Sequence, residues 1–174
     1  MGIQFETDYN METLTAMAKG LRKTVRKKRS RRVHIFAAVV LILGLLTILA
    51  TIAGGEPLGA SGVVTLLAMM VVILVSLFED KLNAWFARKR LLPGTEHAVA
   101  TFEEDGYVSA TGVTESRFSY AQIVAVAETE RYFVFALSSH HTQAYDKRNI
   151  RGGSVEDFRA FIAEKTGKPI ANIK

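Results

Sequence analysis

Two apolar runs dominate what this chain can fold into. Val33 to Ala53 and Leu58 to Phe78 each hold 21 residues, and neither contains Lys, Arg, Asp or Glu. As helices rising about 1.5 Å per residue, each spans roughly 30 Å, the thickness of a bilayer's hydrocarbon core. A core helix of a soluble protein keeps a polar face, so helices apolar on every side for about six turns are expected in lipid. Gly54-Gly55-Glu56-Pro57 interrupts the two runs with residues that break helix and favour a tight turn. Spans at 33–53 and 58–78 with an external turn at 54–57 therefore predict a membrane hairpin. A cleaved signal peptide does not fit. The first run is preceded by 32 residues and exceeds the roughly 7–15 of a signal h-region, and Thr51-Ile52-Ala53 is a poor cleavage site. Gly2 opens no myristoylation motif, because position 6 is Glu.

The charge distribution orients the hairpin. The chain carries 22 Lys+Arg against 17 Asp+Glu, with pI near 9.6, and such a balance invites a nucleic-acid reading. Divided along the chain it says something else. Residues 1–32 are net +6, 33–78 net −1, 79–92 net +2 and 93–174 net −2. The cations flank the apolar runs, and the connecting turn has no Lys or Arg. The positive-inside rule then puts both termini in the cytoplasm of a bacterial inner-membrane, multi-pass protein. Arg26, Lys27, Lys28, Arg29, Arg31 and Arg32 before the first span are candidate contacts for anionic lipid headgroups. Trp85, Arg88, Lys89 and Arg90 after the second are candidates too, with Trp85 as a headgroup-level anchor or a contact to the soluble domain. No aromatic residues interleave the N-terminal basic run, and the bilayer competes for its charges, so nucleic acid is not an expected partner.

Within the spans, Gly44, Thr47, Thr51, Gly62, Thr65 and Ser76 suit close helix packing with shared weak hydrogen bonds. No ionisable group stands at mid-depth, where pumps and channels place theirs. His34 lies at the edge, within reach of water. In residues 1–32, a short strand at Ile3-Gln4-Phe5 precedes a helix capped by Asp8 or Asn10. The apolar stripe Met11, Leu14, Ala18, Leu21, Val25 packs on the cytoplasmic domain or, alternatively, makes a homodimer contact, and the helix continues through the basic run to the membrane. Residues 79–94 extend the second span as a juxtamembrane helix ended by Pro93-Gly94.

Residues 95–174 change period. Segments 97–102, 107–109, 117–120, 123–127, 132–137 and 142–145 read as strands, with a hairpin turn at Asp105-Gly106. Phe133, Phe135 and Leu137 share one face and Tyr132, Val134 and Ala136 the other, the pattern of a central strand buried on both sides. Ser154 with Asp157 forms a capping-box-like start, Phe158, Phe161 and Ile162 an apolar stripe, and Gly167 with Pro169 a stop. An antiparallel sheet or small barrel closed by one C-terminal helix follows, so the fold class is α+β with a transmembrane hairpin.

The order of these features resembles the YcxB-like family. It runs from a membrane hairpin through a strand with Glu104-Asp105-Gly106, Ser119-Tyr120-x-x-Ile123, Tyr132-Phe133-Val134-Phe135 and Tyr145-Asp146-Lys147-Arg148 to Asp157-Phe158-Arg159. Phe5-Glu6-Thr7-Asp8-Tyr9 is similar to the family's opening. Tyr120 stands where the family often has Trp, and Asp146 where Pro often precedes the lysine. The resemblance implies two transmembrane helices and a cytoplasmic domain of pleckstrin-homology-like (PH-like) fold, with no established activity or ligand.

Catalytic chemistry finds little purchase. The chain has no cysteine, which excludes disulfides, thiolate metal sites and a cysteine nucleophile. No HExxH occurs, and Gly152-Gly153 lacks the context of a phosphate loop. His140-His141, flanked by Ser138, Ser139 and Thr142, reads as an exposed turn. Lys147, Arg148 and Arg151 form a small basic loop, a candidate contact for an anion or partner. The expectation is a non-enzymatic integral membrane protein without cofactor or metal. It presents a cytoplasmic module that binds lipid, peptide or an unknown protein, with homodimerisation possible in principle. The alternatives are a membrane-tethered hydrolase or metal-dependent enzyme using His140, His141 and Asp146, and an accessory subunit of a transporter.

Overall fold

In the computed structural model, which describes residues 2–173, the alternation of Ile3, Phe5 and Thr7 with Gln4, Glu6 and Asp8 forms strand β1 (Ile3–Asp8), the first set buried. Asn10 then caps α1 (Met11–Lys23), its side chain accepting from the backbone N–H of Glu12 and Thr13. The helix does not run on to the apolar segment as expected. Thr24 turns the chain, its N–H and hydroxyl both donating to the Gly20 carbonyl at 3.1 and 2.7 Å. The β-branched pair Thr24-Val25 is a poor helix former and the hydroxyl competes with the helical bond. Helix α2 (Lys27–Ala53) starts afresh beyond Arg26, and α3 (Ala60–Leu77) returns from it after a glycine-bounded turn. After a break at Phe78, α4 (Glu79–Lys89) extends the second helix and ends four residues before Pro93.

Both α2 and α3 are long and apolar enough to cross a membrane. Their large side chains lie open, from Val33 at 55% exposure to Leu77 at 72%, which a soluble core helix would not tolerate. The hydroxyls of Thr47, Thr51 and Thr65 donate to carbonyls of their own helices rather than bridging the pair.

The rest of the chain forms two sheets. In the first, β4 (Glu115–Phe118), β3 (Tyr107–Thr111), β2 (His97–Phe102), β1 and β8 (Ile150–Arg151) lie in that order. In the second the order is β7 (Thr142–Asp146), β6 (Tyr132–Ala136), β5 (Ala125–Glu128) and β9 (Ile170–Asn172). All pairs are antiparallel except β5–β9, which makes the second sheet mixed rather than antiparallel. Helix α5 (Val155–Thr166) starts at the Ser154–Asp157 capping box and stops at Gly167 in the left-handed region.

The most consequential pairing is β1 with β2 and β8, Phe5 opposite Ala100 on one side and Ile150 on the other. Residues before the apolar hairpin and residues after it thus complete one sheet. The separation into segments 1–32 and 95–174 holds along the chain but not in space.

Aromatic rings fill the space between the sheets. Phe158 of α5 sits 4.6 Å from the ring of Phe5, 4.8 Å from Phe102 and 5.0 Å from Phe133. Strand β6 is buried throughout. Phe133 and Phe135 point into this core, while Tyr132 and Val134 meet Ala16 and Met17 of α1 on the other side. Helix α1 therefore lies against the second sheet and also packs along α4. Its stripe residues Leu14 and Leu21 are buried within the one chain.

Candidate functional site

Two concave surfaces flank α1. The larger, about 930 Å³, opens between α1 and the β5–β9 edge. Ala16, Tyr132 and Ile173 make its apolar floor, and Glu12, Lys19 and Arg131 its charged walls. At its inner end Glu128, 6% exposed, accepts from Lys147 Nζ at 2.9 Å and from Arg159 Nε and Nη2 at 2.9 and 2.7 Å. The Arg159 hydrogen bonds hold the Glu128 carboxyl below the ordinary carboxylate range despite its burial, and Glu128 in turn raises the Arg159 guanidinium. Asp146, 4% exposed, ties the neighbouring corner together. It accepts from Arg131 Nη2 at 2.9 Å and from Arg148 Nη2 at 3.1 Å, while its own N–H donates to Thr7 Oγ1 at 3.0 Å. Arg131 also pairs with Glu12.

These pairings change the reading of the basic loop. Lys147 is bound to Glu128, Arg148 to Asp146, and Arg151 to Glu6 at 3.0 Å, so each of the three cations already faces a carboxylate. Each pair lies within one sheet or one turn, and Arg148 and Arg151 keep most of their side-chain surface exposed. The sequence did not mark Glu128, Arg131 or Arg159 as site residues, because their partners arrive from other elements.

The second surface, about 520 Å³, lies at the base of the apolar helices between α1, the start of α2, α4 and the β6–β7 turn. Arg22 crosses from α1 to α4 and grips Asp80 through Nε at 2.7 Å and Nη2 at 2.6 Å, a bidentate bond that raises its guanidinium further. Arg26 donates through Nε to the Ser139 carbonyl at 2.6 Å, which ties the chain's turn into α2 to the β6–β7 turn. Glu79 also lines this surface; its Oε2 lies 3.8 Å from Arg22 Nε and 3.7 Å from His34 Nε2 and makes no hydrogen bond.

Helix geometry divides the candidate headgroup contacts. Arg26, Arg29 and Arg90 line this groove, whereas Lys27, Lys28, Arg31, Arg32, Arg88 and Lys89 do not. Trp85 is 44% exposed, with Lys89 Nζ 3.6 Å above its ring and Phe86 edge-on at 4.9 Å. It does not dock into the sheets.

His140 and His141 occupy the exposed β6–β7 turn, with His140 Nδ1 2.8 Å from Ser139 Oγ. Asp146 stands at the opposite end of β7, roughly 13 Å from Thr142 at strand rise, with both histidines beyond Thr142. The enzyme alternative's three residues are therefore not assembled into one site. Among the described residues, no three His, Asp or Glu side chains gather as metal ligands. Tyr107 and Tyr145 both donate to Gln143 Oε1 at 2.7 Å, and burial holds both phenols well above their usual value, as neutral donors.

Two sheets closed by one helix, behind a pair of apolar helices, define an α+β domain on a two-helix stem. Known proteins connect to it through the domain: a family described as YcxB-like protein matches residues 102–162. The match runs from the last residue of β2 to Ile162 in α5, so this part of the chain is similar to that family, in the region where the ordered motifs lie. No curated protein and no solved structure matches the chain significantly.

Proposed function

We propose that the chain is a non-enzymatic, two-span protein of the bacterial inner membrane, with both termini in the cytoplasm. It holds a PH-like interaction module rigidly against the membrane face. The observation that carries this reading is the place of β1 in the sheet with β2 and β8. A strand cannot pair across a bilayer, so residues 2–23 and 95–173 share one side and the apolar segment between them must cross an even number of times. The flanking cations supply the side, by the positive-inside rule. Burial of α1 between the second sheet and α4, with the Arg22–Asp80 clamp, supports rigid presentation rather than a domain on a loose tether.

The module's partner surface is the groove between α1 and the β5–β9 edge, whose apolar floor and mixed-charge walls suit a protein or peptide segment. A photo-cross-linking residue replacing Thr15, inside the groove, gives a discrete adduct in intact cells. The same residue replacing Ser116, on the exposed edge strand β4, gives none. Equal adducts from both positions, or none from Thr15, would remove the groove from this role.

A further inference from the structure

The sheet domain neutralises most of its own cations. Arg131, Lys147, Arg148, Arg151, Arg159 and Lys165 each meet a carboxylate within ion-pair distance. The groove at the base of the apolar helices behaves differently. Its Arg26, Arg29 and Arg90 have no carboxylate within 4.0 Å among the described residues. The acids nearby are Glu79, which leans on Arg22 and His34, and Asp80, which Arg22 occupies.

The spacing of the cations is selective. Arg26, Arg29, Ser30 and Val33 follow one another at steps of three, one and three, one helical face, and all four line the groove. Lys27 and Lys28 of the same run lie outside it, as do Arg31 and Arg32. Orientation by the positive-inside rule needs only a count of Lys and Arg and does not distinguish one face from another. Every cation that lines the groove is a guanidinium, and planar, forked donors fit a phosphate better than a point cation does.

The groove also carries the polarity order of a phospholipid. Val33, the first residue of the apolar run, lines it toward the spans at 55% exposure, while Phe86 lies one turn from Arg90 on α4 at 52%. The guanidiniums therefore stand at headgroup depth, with apolar surface beside them where acyl chains begin. We infer that this groove seats the phosphate of one anionic phospholipid, held by Arg26, Arg29 and Arg90, with its headgroup beside Phe86 and its glycerol and chains toward Val33. This rests on α2 and α3 spanning a membrane.

The test uses the purified full chain in detergent, titrated with short-chain phosphatidylglycerol, short-chain phosphatidylcholine or inorganic phosphate, with thermal stabilisation as the readout. Phosphatidylglycerol is expected to stabilise saturably, and phosphatidylcholine and inorganic phosphate weakly or not at all. Arg29→Gln with Arg90→Gln weakens phosphatidylglycerol binding about tenfold or more, while Lys27→Gln with Lys28→Gln, an equal loss of charge, leaves it within about twofold. Arg29→Lys with Arg90→Lys, which keeps the charge and loses the fork, falls between. Equal stabilisation by phosphatidylcholine would overturn the site. An equal response of the two glutamine pairs would reduce it to diffuse surface charge, and phosphate matching the lipid would make it a free-anion site. Carbonate extraction separates the premises: a chain released by carbonate sinks the membrane reading, and one retained without lipid preference sinks this inference alone.

Discussion

Glu128 takes three hydrogen bonds from two cations while only 6% exposed, so its removal strands charge rather than merely losing a contact. Glu128→Gln leaves Lys147 Nζ and the Arg159 guanidinium facing a neutral amide. Breaking a fully buried pair costs roughly 3–5 kcal/mol, and Arg159 keeps 40% side-chain exposure, so about 2–3 kcal/mol is expected here. A fall in Tm of about 10 °C in thermal unfolding of the full chain checks it. The pH dependence has a definite sign. The folded Glu128 value lies below its ordinary 4.5, so its stabilisation is complete above that range and is lost as pH falls through the lowered folded value. The Tm gap between wild type and Glu128→Gln should therefore narrow over the acid window below about pH 4.5. A gap that stays constant over that window would show that the carboxylate charge is not what stabilises this corner. Nothing local in the sequence announces this residue. Its partners stand 19 and 31 residues further on, and the Ala-Glu that ends β5 reads like any strand terminus.

Helix α1 owes its seat to Gly20. A Cβ there would lie 2.7 Å from Val134 Cγ1 on β6, so the side chain is absent where helix and sheet approach most closely. Gly20→Ala gains about 1 kcal/mol of helix propensity but incurs roughly 1–3 kcal/mol of overpacking, and the second effect wins because Val134 is fixed in the buried face of its sheet. Destabilisation of about 1 kcal/mol is expected for Gly20→Ala. Val134→Ala opens the space that the new methyl needs, so the double variant should be more stable than the two single losses predict, by about 1 kcal/mol in a double-mutant cycle. Strict additivity would show that the helix simply shifts away. The same packing explains what the sequence could and could not disclose about elements. Strands β2, β6 and β7 and helix α5 carry alternation or caps strong enough to read directly, and β6 with its two apolar faces signals a layer on each side. Strands β8 and β9, two and three residues long, have no period to detect and exist because β1 and β5 offer open edges. The basic run reads as one cationic helix, yet the Thr24 turn makes Arg22 an α1–α4 clamp and points Arg26 at Ser139.

At the scale of the whole chain, the fold and the charge pattern bear independently on the proposed topology. Pairing of β1 with β2 and β8 requires both flanks of the hairpin to share a side, but it would be satisfied with that side inside or outside the cell. The proposed inner side rests on the cations, which stand next to the apolar helices on the domain side while the turn at 54–57 carries none. Because the chain has no cysteine, a single introduced one is a unique reporter. Glu56→Cys, in the exposed turn, should react with a membrane-impermeant maleimide in intact cells. Ser116→Cys, on β4 at the free edge of the first sheet, should react only after permeabilisation. The reverse pattern would keep the hairpin and invert the protein, placing the sheet domain outside. Labelling of neither position before permeabilisation would leave the turn buried or on the inner side, and the apolar pair would then not cross. Labelling of both in intact cells would contradict the two-sided arrangement altogether, because α3, about 27 Å long and close to the thickness of a bilayer core, separates the turn from the sheet domain.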